Sequence, residues 1–283
     1  MKKVIGHNQA KKKIMNNLSV QSWLICGKKG IGKATFAKSF SNWFLIKNYD
    51  EVALDLHIVE GDTIGVEKVR EMKNFLHLSP IQSEYKIAII DSLESMTNNA
   101  KNAILKILEE PPQNSKIFVI SHKPYDVQVT VRCRCFQLNL LPLTYDETKQ
   151  VVSSQCKFDD KVFNETMNLF PGTPGAIIDA INSGAYETHK YFYTLFRNLN
   201  NSNIVNKIIN SEIELELASH IIQTSILESI KKEVNNVEIL LSQWKEIDEL
   251  FVAAKQFRLD KKHVLANVVN IMTQKCNTFN INL

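Results

Sequence analysis

The stretch 24–35, which reads LICGKKGIGKAT, places the strongest constraint on what this chain can fold into. A short apolar run, Leu24–Cys26, leads into Gly27–Lys33, which fits the phosphate-loop pattern G-x-x-x-x-G-K. Its glycines let backbone N–H groups converge on a phosphate without a Cβ clash; they are Gly27, Gly30 and Gly32. Lys33 is placed to reach the outer phosphates. The pattern predicts a buried strand, a phosphate-binding loop and a helix.

The metal-binding position of this loop departs from the pattern. The residue after the lysine is usually Ser or Thr, whose hydroxyl binds Mg²⁺, but here it is Ala34, and Thr35 follows one place late. A helix opening at Ala34 would still direct its positive end at the anion. We therefore expect a degenerate site that binds ATP or ADP weakly and holds the metal poorly.

Strand and helix patterns alternate downstream of the loop. Apolar runs predict further strands, which are Leu54–Val59, Lys86–Ile90, Lys116–Ser121 and Phe136–Leu140. Helical patterns lie between them, including a helix from Ala34 to Lys47 whose aromatic stripe we interpret as core. This βαβ succession predicts an α/β fold with a mostly parallel sheet.

Polar residues stand at the carboxyl ends of two of these predicted strands. Asp91 ends the strand that begins at Lys86, so the carboxylate would hold Mg²⁺ directly or through water at the carboxyl edge of the sheet. Ser121 stands where a sensor residue would read the outer phosphate, although a simple strand end fits the sequence equally well.

Composition narrows the class of protein. The net charge of +4 permits an anionic partner without demonstrating one. The five cysteines include no C-x-x-C pair, which favours free thiols in a reducing compartment. No apolar run approaches the ~20 residues of a membrane span, and the basic N-terminus lacks the apolar segment of a secretory signal. We expect a cytoplasmic protein without membrane contact.

Three further stretches carry a family resemblance: IGHNQA at 5–10, NAILKILEEPP at 102–112 and TVRCRC at 130–135. With the phosphate loop and the strand before Asp91, they resemble the AAA+ subunits of the bacterial replicative clamp loader, and among these the delta-prime subunits of DNA polymerase III. The resemblance implies an AAA+ P-loop core at 1–142, a small helical lid at 143–184 and an all-α collar at 185–283. An ordinary helical domain without a partner fits the last segment equally well.

The resemblance also implies residue roles. Arg134 matches the arginine of the family's SRC motif, which points at ATP bound by a neighbouring subunit and stabilises charge on the γ-phosphate; an intrachain salt bridge is the alternative. Gly175 occupies the slot of a second sensor arginine. Ser92 occupies the slot of the glutamate that positions the attacking water in active AAA+ ATPases, and Glu94 is expected to face elsewhere.

Three functions remain open on the sequence. The favoured one is a non- or weakly hydrolysing clamp-loader scaffold that supplies Arg134 in trans. Its implied partners are the motor and delta subunits of a hetero-pentamer, the sliding clamp and primed DNA. No cysteine lies in 36–86, where the family carries a zinc site, so we expect no zinc. The alternatives are an active AAA+ ATPase relying on Thr35 and Glu94, and a P-loop small-molecule kinase, which leaves the motif around Arg134 unexplained.

Overall fold

The computed structural model describes residues 4–45, 54–183, 202–211, 213–232 and 237–279, together with Glu187, Lys190, Tyr191 and Thr194. The chain divides into two compact units, Met1–Asp179 and Ala180–Leu283. The first unit combines a sheet with helices, and the described part of the second is helical. The finer division into a lid at 143–184 and a collar at 185–283 stays a prediction.

A five-stranded sheet in the order β2-β3-β4-β1-β5 organises the first unit. The strands are β1 Ser22–Cys26, β2 Leu56–Glu60, β3 Lys86–Asp91, β4 Ser115–Ser121 and β5 Phe136–Asn139. Every neighbouring pair is parallel, which confirms the predicted α/β fold class. Because the strands run in one direction, their carboxyl ends share one edge, where the phosphate loop and Asp91 emerge.

Helices cover both faces of this sheet. The helices of the first unit, in chain order, are α1 Asn8–Met15, α2 Lys33–Phe44, α3 Val66–His77, α4 Asn98–Glu109, α5 Val129–Arg132, α6 Tyr145–Ser153, α7 Asp160–Leu169 and α8 Pro174–Asn182. Successive residues of β1 alternate between two cores: Leu24 packs in the cluster that includes α3 and α4, and Ile25 packs in the cluster that includes α1 and α2. The aromatic stripe of α2 lies in this second cluster, so its interpretation as core is confirmed; the predicted continuation to Lys47 lies outside the described residues.

Side-chain caps fix the beginnings of two helices near the carboxyl edge. Thr97 accepts a hydrogen bond from the Ala100 amide at the start of α4, as its position in the sequence predicts. Thr144 and Glu147 form a reciprocal capping box at the start of α6. The prolines Pro111 and Pro112 follow α4 and prevent its continuation.

Helices with their own apolar core make up the described part of the second unit. They are Ser202–Ile209, Leu215–Lys232, Val237–Phe257 and Lys261–Phe279. The apolar spacing of the sequence predicts helices at 213–234, 237–257 and 261–272, which correspond to the last three. The helix that it predicts around Tyr191–Phe196 lies largely outside the described residues. No helix in the described parts of the chain is long and apolar enough to cross a membrane.

A buried ion pair anchors the segment that leads into β3. Asp55 and Lys86 are each 2 % exposed, and the Lys86 Nζ lies 3.0 Å from an Asp55 carboxylate oxygen. The carboxylate also accepts hydrogen bonds from the amides of Ile81, Gln82 and Ser83 at 2.8–3.0 Å. Burial acts to raise the pKa of Asp55, but these hydrogen bonds and the Lys86 ammonium outweigh it and hold the pKa below its ordinary value.

Replacing Asp55 by asparagine is expected to lower the free energy of unfolding by about 3 kcal/mol, because Lys86 is left buried without its counter-charge. Because the folded state lowers the pKa of Asp55, its stabilisation is complete above about pH 4 and is lost as the pH falls further. Urea unfolding between pH 3 and pH 7 measures both effects. Asp62→Asn, at an exposed position, is the matched control, and equal stability of the two variants would contradict the assignment.

Candidate functional site

The phosphate loop leaves the carboxyl end of β1 and turns into α2 at Lys33. Gly30 and Gly32 have φ values of 83° and 96°, which favour glycine over any residue with a Cβ. The Lys33 Nζ donates hydrogen bonds to the carbonyls of Gly27 at 2.7 Å and Lys28 at 2.6 Å. Burial lowers the pKa of Lys33 to about 8, while the charges of nearby carboxylates oppose that shift. The loop therefore has the backbone shape and the cation of a phosphate site.

A cavity of about 310 Å³ opens beside this loop. Six of the residues that the sequence predicts for nucleotide binding line it, namely Gly30, Gly32, Lys33, Ala34, Thr35 and Asp91. Gly27 and Ser121 are not among its lining residues. The structure thus brings the loop and the acidic end of β3 together around one cavity, while Gly27 acts through its carbonyl, which holds Lys33.

His122 is a lining residue that the sequence analysis missed. Its Nε2 lies 3.9 Å from a carboxylate oxygen of Asp91, and its Nδ1 is buried without a hydrogen-bond partner. Burial and the charge of Lys33 lower the pKa of His122, which favours the neutral imidazole. A signal for His122 was present, because it follows directly after Ser121 at the end of β4 and must lie at the carboxyl edge.

The side chain of Glu94 is directed at the end of β4. It accepts hydrogen bonds from the Ser121 hydroxyl at 2.6 Å and from the amides of His122 at 2.9 Å and Lys123 at 3.1 Å. Glu94 is therefore engaged in holding this turn and is not a lining residue of the cavity. The only proton of the Ser121 hydroxyl is donated to Glu94, so a sensor role for Ser121 stays a prediction.

Helix α8, in the segment 143–184 that we predict to be a lid, contacts the phosphate loop through two glycines. The Gly175 amide, at the start of α8, donates a 2.8 Å hydrogen bond to the Gly30 carbonyl. A Cβ on Gly175 would lie 2.9 Å from the Gly30 oxygen and 3.0 Å from its Cα. The position that the resemblance assigns to a second sensor arginine is thus occupied by backbone, and this arrangement leaves no room for a side chain that starts at residue 175.

The motif at 5–10 also contacts the phosphate loop, through His7. Gly6 has a φ of 72°, and His7 Nε2 lies within hydrogen-bond distance, 3.1 Å, of the Ile31 carbonyl. A second cavity of about 160 Å³ lies between this turn and the start of the lid, with Leu143 and Glu147 among its lining residues. The loop is therefore bounded by the N-terminal turn and by α8.

Arg134 lies away from this cavity, just after α5. Its Nη2 donates to a Glu109 carboxylate oxygen at 3.2 Å, and its Nη1 donates to the Thr130 carbonyl at 2.9 Å and approaches the Cys133 sulfur at 3.3 Å. The Glu109 carboxylate raises the pKa of Arg134, so the guanidinium stays charged. The intrachain ion pair considered from the sequence therefore exists, and 28 % of the arginine side chain remains exposed.

The residues present fit a phosphate better than they fit a metal ion. Asp91 is the lining carboxylate, and Ala34 offers no hydroxyl where the pattern requires one. Within the described ranges, no group of three or more His, Cys, Asp or Glu residues is arranged to hold a metal. The absence of zinc stays a prediction.

Comparison with known proteins relates this chain to a protein family. The family model described as "DNA polymerase III, delta subunit" matches residues 5–144. The DNA polymerase III subunit gamma of Buchnera aphidicola subsp. Schizaphis graminum is 30% identical over 163 residues, 50% of this chain and 45% of that protein. The subunit delta' of Buchnera aphidicola subsp. Baizongia pistaciae is 40% identical over 88 residues, 31% of this chain and 25% of that protein. The matched segments therefore span less than half of each relative.

A solved structure supports the fold. The crystal structure of a DNA polymerase III gamma subunit-related protein from Thermotoga maritima covers 94% of this chain and 98% of that chain, with a TM-score of 0.54 and 20% identity. The parallel sheet, the phosphate loop after an interior strand and the acidic end of β3 define an α/β protein with the AAA+ P-loop fold. Through residues 5–144 this chain belongs to the DNA polymerase III clamp-loader family.

Placing a side chain at the contact between lid and loop should destabilise the first unit. We expect Gly175→Ser to lower its free energy of unfolding by about 1–3 kcal/mol, because the new Cβ overlaps the Gly30 backbone. The same substitution at Gly65, which precedes α3 in an extended conformation, supplies a favourable helix cap and is the matched control. Thermal unfolding and amide hydrogen exchange at Gly175 measure the difference; wild-type protection in Gly175→Ser would argue against the contact.

Proposed function

We propose that this chain is a delta-prime-like subunit of the replicative DNA polymerase III clamp loader, a non- or weakly hydrolysing scaffold that supplies Arg134 to a neighbouring motor subunit's ATP site. The observation that carries the proposal is a contrast between two sites. The chain's own cavity lacks several groups needed for fast phosphoryl transfer, whereas Arg134 is charged and partly exposed. An arginine acting in trans raises turnover by about 10³-fold or more in comparable enzymes.

The deficits of the chain's own site affect different parts of the reaction. Ala34 removes the hydroxyl ligand of Mg²⁺, and Ser92 removes the carboxylate that would orient water. Gly175 removes a cation from the outer phosphates. The loop and Lys33 are retained, so the proposal includes weak binding of ATP or ADP, with the smaller cavity beside Leu143 available for the rest of the nucleotide.

The proposed partners follow from the relatives, which are DNA polymerase III subunits. They are the motor and delta subunits in a hetero-pentamer, with the sliding clamp and primed DNA bound by the assembled complex. In this proposal the helical segment 185–283 forms the collar that joins the subunits, and the protein works in the cytoplasm as part of the DNA-directed DNA polymerase holoenzyme. One observation favours the alternative of an active ATPase: Thr35 lines the cavity.

The isolated chain is expected to bind nucleotide without appreciable hydrolysis. Fluorescent ATP and ADP analogues should bind weakly and lose binding in Lys33→Ala, because Lys33 is the buried cation of the loop. Phosphate release measured on the same samples should stay at the level of a no-enzyme blank. Turnover by the wild type that disappears in Lys33→Ala would instead establish the active ATPase.

In the assembled loader, Arg134→Ala is expected to abolish most turnover at the one ATP site that faces this chain, on the order of 10³-fold at that site, because the developing γ-phosphate charge loses its guanidinium. Single-turnover hydrolysis by the reconstituted complex measures this loss. Arg132→Ala removes the same charge two residues earlier and serves as the control. Equal activity of the two variants would refute a finger role, and native mass spectrometry of the complexes verifies that both still assemble.

A further inference from the structure

Glu109 stands at a junction between the motif at 102–112 and the motif at 130–135. It is the last residue of α4, and Glu110 and two prolines follow it. Its side chain is 58 % exposed, but one carboxylate oxygen lies 3.2 Å from Nη2 of Arg134. Two segments separated by 25 positions in the sequence therefore meet at one guanidinium.

Contacts from both segments fix the plane of this guanidinium. Glu109 holds Nη2, while the Thr130 carbonyl holds Nη1 at 2.9 Å from within the arginine's own segment. The Cys133 sulfur lies 3.3 Å from the same Nη1, and Nε is buried without a partner. Because the two oxygens accept hydrogen bonds from different nitrogens, the guanidinium group cannot rotate relative to the rest of the side chain without losing one of these hydrogen bonds.

A fixed orientation of the guanidinium matters for an arginine that acts on another molecule. An arginine side chain loses considerable rotamer freedom when it is immobilised, and a planar donor stabilises phosphate charge only in the correct orientation. An exposed ion pair is individually weak, whereas hydrogen bonds from arginine to phosphate are charge-assisted and stronger. The Glu109 carboxylate can therefore orient the guanidinium and still be displaced when a phosphate arrives.

We propose that Glu109 is a positioning residue for Arg134, which holds the guanidinium in an orientation ready for the neighbouring subunit's nucleotide. This inference rests on the proposed function, because it concerns how the arginine is presented and not whether it acts. It assigns a role to the acidic end of the motif at 102–112 that helix formation alone does not require. Glu110, the next residue, makes no comparable contact with Arg134 among the described interactions.

The test uses the full chain in the reconstituted loader and compares Glu109→Gln with Glu110→Gln. Both substitutions remove one negative charge from adjacent exposed positions, so only the contact with Arg134 distinguishes them. We expect Glu109→Gln to lower kcat at the neighbouring site by about 3- to 10-fold with KM nearly unchanged, since a transition-state contact is lost and ground-state binding is not. Glu110→Gln should match the wild type, and Glu109→Asp should recover part of the loss.

A double-variant cycle separates positioning from a general structural effect. If Glu109 acts through Arg134, then Glu109→Gln should have no effect on kcat in the Arg134→Ala background. Equal kcat for the Glu109→Gln and Glu110→Gln complexes would overturn the proposal. So would a rise in kcat, which would make Glu109 a restraint that competes with phosphate. Wild-type turnover in Arg134→Ala would refute the proposed function itself, an outcome distinct from the loss of the Glu109 effect alone.

Discussion

The placement of β1 inside the sheet is the constraint on which the site depends. All five of its residues are buried, and it pairs with β4 on one side and β5 on the other. The Leu140 amide continues this pairing with a 2.8 Å hydrogen bond to the Cys26 carbonyl, at the point where the phosphate loop begins. A Cβ on Gly27 would lie 2.9 Å from the Leu140 oxygen, so the loop starts in a space sized for glycine. Because both strands beside β1 end at the same edge, the loop, His122 and the segment that enters the lid are brought together.

In the first unit, the anion-binding cavity and the partly exposed Arg134 lie at different places. The cavity retains what an anion requires: a glycine-rich backbone and a buried lysine. Under the proposed function, the groups that would use a bound nucleotide for reaction are replaced by a methyl at Ala34, a hydroxyl at Ser92 and backbone at Gly175. Arg134 follows α5, is partly exposed, and contacts Glu109 and Thr130 rather than the lining residues of the cavity. An anion site without its catalytic groups and an exposed arginine are consistent with a subunit whose chemistry takes place on its neighbour.

Local sequence patterns predicted the strands, most of the helices and the loop because each depends on residues near one another in the chain. Asp91 and Lys33 were found for the same reason, since each follows a recognisable strand or glycine pattern. The contact between Gly30 and Gly175 could not be predicted, because it joins segments 145 positions apart through backbone atoms alone. The engagement of Glu94 with Ser121 also escaped prediction, because the short turn at Leu93–Ser95 sets the direction of that carboxylate. The same limit applies to Glu109, whose partner lies in a different motif.

Gly175 restricts which substitutions this chain can accept during evolution. A single codon change to arginine would not recover a cation at the outer phosphates, because the Gly30 backbone now occupies the space in which the new side chain must begin. The lid would first have to move away from the loop, and that step alone gives up a 2.8 Å hydrogen bond without any gain. An arginine at position 175 therefore requires an arrangement in which the contact between Gly30 and Gly175 has been given up. Under the proposed function, the packing of Gly30 against Gly175 would keep such a chain in the weakly hydrolysing state even where selection favoured an arginine at position 175.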